Sequence, residues 1–147
     1  MTIRITIPQA ACDAHRAAIL APLRAYNLEH AGDPQARPVA ILLTDDSGND
    51  VGGLWGKIGY DWLFVELLAV PAALRGQSLG SALMHEAERI AREAECVGMW
   101  LDTFEFQARG FYGKLGFELF GTLEDHPLGA RRFFLKKRFG GIASRGV

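Results

Sequence analysis

Cysteine is scarce in this 147-residue chain, with only Cys12 and Cys96, far apart and without metal or redox spacing. That usage suits free thiols in a reducing compartment. An excess of charge of one sign is also lacking. The formal net charge is −1, so nothing global draws the chain to nucleic acid or to an acidic membrane surface. No uninterrupted apolar run reaches the ~18 residues that a membrane-spanning helix needs. The opening Met1-Thr2-Ile3-Arg4-Ile5-Thr6-Ile7 alternates, where a signal peptide would have a continuous apolar core. A cytoplasmic protein without membrane or nucleic-acid partners is therefore expected. The four histidines lack ligand spacing. His85-Glu86 begins like a zinc-protease helix, but position 89 is Arg89, and His15, His30 and His126 stand apart, so no metal site is expected.

What is present is the balance of a globular domain, 49 % hydrophobic against 22 % charged. The length predicts one domain over residues 1–139, followed by a mobile tail at 140–147. Ile3, Ile5 and Ile7 have the period of a half-buried strand ended by Pro8. Helical spacing runs from Cys12 to Leu28 with Pro22 inside, which leaves open one kinked helix or two short ones. Val39–Thr44 and Val51–Ile58 flank the turn residues Asp45–Asp50 as a hairpin. Trp62–Val70 is apolar on both faces and reads as a central strand. Leu79, Leu83, Ala87, Ile90 and Ala94 form one stripe of an amphipathic helix. Strands are expected at Met99–Phe104, Phe117–Leu123 and Arg131–Arg138. A short helix at Ala108–Leu115 would be capped by Gly116. The fold class is α/β (α+β): a mixed, mostly antiparallel central sheet of about seven strands flanked by three to four helices. Basic residues in Arg131–Arg138 divide between the faces of a strand, as expected at a protected edge and not in a nucleic-acid patch.

The most informative stretch is Val70–Leu83, where an apolar strand passes into a helix through a turn of small residues with Arg75 at its mouth. Such a junction aims several backbone N–H groups and a helix dipole at one anion. A nucleotide-binding P-loop fits it poorly, because Gly80 is followed by Ser81-Ala82 and not by the required lysine. Val70, Arg75, Gly76, Leu79 and Gly80 match one motif of the GNAT (Gcn5-related) N-acetyltransferases. Ala108, Phe111, Tyr112, Gly116 and Phe117 match a second, about 30 residues on, beyond an intervening strand. With both motifs in order, and with element order agreeing over nearly the whole chain, the sequence resembles that family. The GNAT-like fold is what the resemblance implies.

The resemblance further implies acetyl transfer from acetyl-CoA to a primary amine of a small molecule or peptide, with both substrates held in a ternary complex. Gly76, Gln77, Ser78, Leu79, Gly80 and Ser81 would cradle the pyrophosphate, with Arg75 at the entrance. Leu68, Ala69 and Val70 would align the pantetheine arm, and Phe111 belongs to the same cofactor site. Tyr112 would be the general acid for the leaving thiolate; the bland reading is a tyrosine packed on the sheet. Glu66 is the only charge in its apolar strand. Burial would raise its pKa and suit it to act as general base, or it pairs with Lys57. Tyr26, Asn27, Trp55, Tyr60 and Trp62 are candidates for an acceptor pocket. Dimers are common in the family, so a homodimer is a further expectation.

Two positions depart from the family pattern. Ser78 replaces a glycine: it either opens the helix as a cap that touches phosphate, the preferred reading, or is strained at positive φ. Glu105 replaces an asparagine, with Gln107 as the candidate substitute contact. A non-catalytic acyl-CoA-binding module or sensor on the same scaffold is the alternative.

Overall fold

The computed structural model describes residues 1–107 and 109–140, so Ala108 and positions 141–147 of the expected tail lie outside the described residues. The chain divides into two compact units, Met1–Pro34 and the part from Gln35 onward. In the first, the expected strand is absent: residues 1–8 carry no regular structure, and Ile3, Ile5 and Ile7 are 75, 98 and 92 % exposed. Alternation says which side chains a strand would bury, but the strand itself needs a partner for its backbone groups. The helical pattern resolves as one element, α1 (Asp13–Ala31), with Pro22 inside it. The Cys12 N–H donates to His15 Nδ1 (3.1 Å) at its start. At its end Gly32, with φ +75°, donates to the Leu28 carbonyl.

Among the described residues the second unit is built on a six-stranded sheet, one strand fewer than expected because residues 1–8 form no strand. In chain order the elements are β1 (Arg37–Thr44), β2 (Asp50–Gly59), β3 (Trp62–Ala69), α2 (Leu79–Glu93), β4 (Gly98–Phe104), α3 (Arg109–Lys114), β5 (Glu118–Glu124) and β6 (Arg131–Arg138). The spatial order is β1-β2-β3-β4-β6-β5. Only β3 and β4 run parallel, and α2 makes the crossover between them.

Local chemistry explains the hairpins. The Asp45 carboxylate accepts the N–H groups of Ser47 and Asn49, each at 2.9 Å. The Asn49 bond leads in holding that carboxyl below its ordinary range. Gly48 adopts φ +85° in this turn. At the second turn Tyr60 and Asp61 both have positive φ, the geometry that matches the twist of a two-residue hairpin.

The core lies between α2 and one face of the sheet. Leu83, Met84, Ala87 and Ala91 of the helix are buried with Leu63, Val65, Met99, Leu101, Phe133 and Leu135 of the strands. A side chain of this kind contributes about 1.5–3 kcal/mol when fully buried. The opposite helix face is polar and carries Arg89 between Glu86 (3.0 Å) and Glu93 (2.8 Å). Gly116 ends α3 as expected, with φ +93° and the Phe117 N–H returning to the Tyr112 carbonyl at 3.1 Å.

Candidate active site

The site begins where the sheet divides. β3 and β4 pair only from Trp62↔Gly98 to Val65↔Leu101, although both continue for several residues. A bulge sits at the same level: Trp55 faces Leu67 while its neighbour Gly56 faces Val65, so Glu66 is the extra residue in β3. Past this point a cleft of about 750 Å³ opens. The end of β3 and the residue after it, Leu68, Ala69 and Val70, form one wall. Leu74, Arg75, Gly76, Ser78, Leu79, Gly80 and Ser81 form the floor, and Phe106, Gln107, Phe111 and Tyr112 close the other side.

Nearly all the residues expected to hold acetyl-CoA thus meet around one space; Gln77 does not line it. The fit to such a ligand can be judged from the loop itself. The first bond of α2 is donated by Ala82 to the Ser78 carbonyl (3.1 Å). The N–H groups of Leu79, Gly80 and Ser81 precede it and have no acceptor within the helix. Gly76 adopts φ +84° with open space where a side chain would stand, so an anion can approach the backbone there. Apolar walls from Leu68, Leu79, Phe106 and Phe111 suit a long, weakly polar arm.

Ser78 combines the two readings of its position. It is the N-cap residue of α2, yet its φ and ψ are 60° and 23°, in the left-handed region, and its side chain makes no capping bond. Ser78 thus opens the helix, as in the preferred reading, but makes no capping hydrogen bond and takes the positive φ of the other reading. This conformation costs a non-glycine residue about 1–2 kcal/mol.

Tyr112 is half-buried beside the cleft. Burial pushes its phenol above the ordinary 10, and the charge on Asp102 adds to the rise. The group therefore stays protonated at neutral pH, the form an acid needs. Its ring meets Phe111 edge-on at 5.0 Å.

Gln107 Oε1 accepts the buried Thr103 hydroxyl (2.9 Å) and the Phe104 N–H (2.7 Å), which leaves its amide nitrogen as the donor for the cleft. Glu105 is engaged elsewhere, accepting the Arg131 N–H (2.8 Å) and guanidinium (2.9 Å). These bonds hold its exposed carboxyl below the ordinary range.

Other expectations change. Glu66 is exposed and not a buried charge, because it follows the buried Val65 and alternation turns it off the core face, while the bulge brings Leu67 out on the same side; among the described residues it makes no ion pair with Lys57. Tyr60 and Trp62 line a different, shallower cavity of about 380 Å³ with Trp100, Phe120 and Lys136. Trp62 is six residues before Leu68, roughly 20 Å along the strand. Trp55 is 44 % exposed on the face away from the core, and Tyr26 and Asn27 belong to the first unit.

Leu74 and Phe106 line the cleft but carry no polar signal in the sequence. Asp102, ion-paired with Arg132, belongs to neither sequence motif. It is the only acidic residue of β4, and that was the available cue.

A mixed sheet split between its parallel strands, with an anion loop on one side and a tyrosine on the other, is the arrangement of an acyl-CoA-dependent transferase. The profile of the Acetyltransferase (GNAT) family matches residues 7–117, and the chain belongs to that family. It is 38 % identical over 122 residues to acetyltransferase Atu2258 of Agrobacterium fabrum, covering 83 % of this chain and 89 % of that one. To a blasticidin-S acetyltransferase of Streptomyces morookaense it is 40 % identical over 107 residues, covering 70 % and 79 %. A crystal structure of an acetyltransferase from Bacillus cereus superposes with a TM-score of 0.81 at 30 % identity, covering 91 % of this chain and 98 % of that one. A structure from Agrobacterium tumefaciens gives 0.87 at 35 %, covering 93 % and 100 %. The chain is an N-acetyltransferase that moves an acetyl group to an amine, with acetyl-CoA as the donor its family uses.

Proposed function

We propose that this enzyme acetylates a primary amine on a small molecule, by direct transfer at the end of β3. The observation that carries this reading is the parting of β3 from β4 after Val65↔Leu101, beside a loop with free N–H groups and a protonated tyrosine. Acetyl-CoA, when bound, supplies an activated acetyl thioester. The N–H groups of residues 76–81 hold its pyrophosphate, with Arg75 adding charge at the entrance. The backbone of Leu68–Val70 aligns the amide-like arm as an added strand would. An N–H there faces the oxygen on which negative charge grows during transfer.

Glu66 accepts a proton from the incoming ammonium, directly or through water, and its exposure gives the acceptor access to it. Tyr112 shares its proton with the departing sulfur. The relative named as a blasticidin-S acetyltransferase supports a small-molecule acceptor over a peptide. Free Cys12 and Cys96 are in keeping with a cytoplasmic enzyme.

The test is thiol release from acetyl-CoA against a panel of small amines and peptides. Turnover confined to peptides would overturn the small-molecule reading. Replacement Glu66→Gln is expected to lower kcat 10²-fold or more, and an unchanged kcat would remove Glu66 from the base role.

A further inference from the structure

Resting on the acetyl-transfer reading, we propose that Asp102 is an acceptor-binding residue which, together with Glu66, selects amines carrying an ammonium charge at the mouth of the split sheet. Val65↔Leu101 is the last paired rung, so Glu66 and Asp102 are the first residues past it on facing strands. Val65 and Leu101 are buried on the core face. Alternation turns both Asp102 and Glu66 to the other face, where Glu66 is exposed. The two residues thus follow the last rung on the two strands that part, next to the residues lining the cleft and not among them.

Asp102 is not free to swing away. Arg132 donates to its Oδ1 from Nε (3.0 Å) and again from the terminal Nη2. The same guanidinium lies 5.0 Å from the centre of the Phe104 ring, which fixes the pair against the sheet. A purely structural arginine pair tends to be bidentate, one nitrogen to each oxygen. Here both donors use Oδ1, and among the described residues Oδ2 accepts no hydrogen bond. That oxygen is not sealed in the interior: among the described residues the buried polar atom without a partner is His126 Nδ1, so Oδ2, on a side chain 19 % exposed, keeps access to solvent and is open to an incoming donor.

A protonated amine is the donor that fits. Glu66 and Asp102 bring two negative charges and Arg132 one positive, so the mouth carries a net −1, matched to one ammonium. The neighbouring Arg131 does not alter that balance, because Glu105 neutralises it at 2.9 Å. Asp102 also reaches the reaction centre electrostatically, since its charge acts on Tyr112. An ammonium bound between the carboxylates is therefore held next to Glu66, where it can lose its proton, and near Tyr112.

The experiment compares wild type with Asp102→Asn at saturating acetyl-CoA. It measures thiol release with 1,4-diaminobutane, 2-phenylethylamine and lysine methyl ester. The acceptor KM is expected to rise roughly ten-fold or more, as for loss of a charge-assisted hydrogen bond, with kcat changed less than three-fold and CoA affinity unchanged. Since Asp102→Asn leaves Arg132 uncompensated, the double variant Asp102→Asn/Arg132→Gln is measured alongside it, with the same KM increase expected. Acceptor KM values within two-fold of wild type in a folded variant overturn the proposal and leave acetyl transfer standing. No release by wild type with any of the three cationic amines overturns both the proposal and the small-amine reading.

Discussion

Gly80 sits directly beneath the ring of Phe111: a Cβ on Gly80 would lie 3.2 Å from Phe111 Cζ and 3.5 Å from Cε2. The two sequence motifs thus meet in space, one supplying the anion loop and the other the lid of aromatic side chains over it. Replacement Gly80→Ala sets two effects against each other. Alanine gains about 1 kcal/mol of helix propensity, while the ring must move by a few tenths of an ångström. The expected outcome is a melting temperature within a few degrees of wild type but several-fold weaker CoA binding, because the displaced ring narrows the cleft. Calorimetric titration with CoA checks it, and unchanged affinity would show that the ring moves without consequence.

Ser78 offers the opposite case. A left-handed serine costs about 1–2 kcal/mol, and glycine in its place loses part of that gain to backbone entropy, roughly 0.5–1 kcal/mol. Replacement Ser78→Gly is expected to raise stability by about 0.5–1 kcal/mol and to tighten CoA binding, since the loop then reaches its bound shape without strain. Thermal melts with and without CoA measure both. A less stable variant would mean that the serine side chain makes a contact worth more than the strain.

Most of the second unit was legible in the sequence because its signals are local. The Asp45–Asn49 turn is made by the first residue's own carboxylate, and Gly116 caps α3 through bonds within five residues. The lining of the cleft was legible for a related reason, since its loop and its tyrosine each lie in a short contiguous motif. What failed depended on partners distant in sequence. Ile3–Ile7 has a strand's pattern but carries no regular structure, since alternation alone supplies no partner for the backbone. The apolar neighbours of Glu66 suggest burial on both faces of β3, yet only the Leu63 and Val65 face is packed by the core, and alternation puts Glu66 on the other. The aromatic chemistry of Trp62 and Tyr60 suits an acceptor pocket, whereas strand length puts them at the other end of β3, around a separate cavity. Asp102 acquires meaning only from Arg132, 30 residues away.

Glu88 links α2 to β6 and governs stability in acid. Burial alone would raise its carboxyl, but the hydrogen bond and charge of Lys137 (3.1 Å), with Arg92 (3.2 Å), outweigh that and hold it below the ordinary 4.5. A carboxyl lowered in the folded state contributes stability that is present above its unfolded value and lost as pH falls through the folded one. Replacement Glu88→Gln is therefore expected to cost about 1 kcal/mol at pH 7, with the gap to wild type closing below about pH 4.5. Urea titrations at several pH values test this. A gap that stayed constant down to low pH would assign the loss to packing.

Tyr112 gives the sharpest kinetic prediction. Its phenol is raised above 10 by burial first and by the Asp102 charge second, so the protonated form persists through the alkaline range. If Tyr112 protonates the departing thiolate, the alkaline fall in kcat caused by its ionisation lies above pH 10 and not below it. The same shift acts on folding. A group whose folded pKa is raised contributes nothing adverse below its unfolded value, and stability falls as pH climbs through the folded one. Replacement Tyr112→Phe removes the proton but keeps the ring against Phe111 and Phe117, so CoA affinity should change less than two-fold. The expected loss in kcat is 10²–10⁴-fold, the range for a positioned acid. A kcat equal to wild type would hand the proton to solvent and reduce Tyr112 to a packing residue.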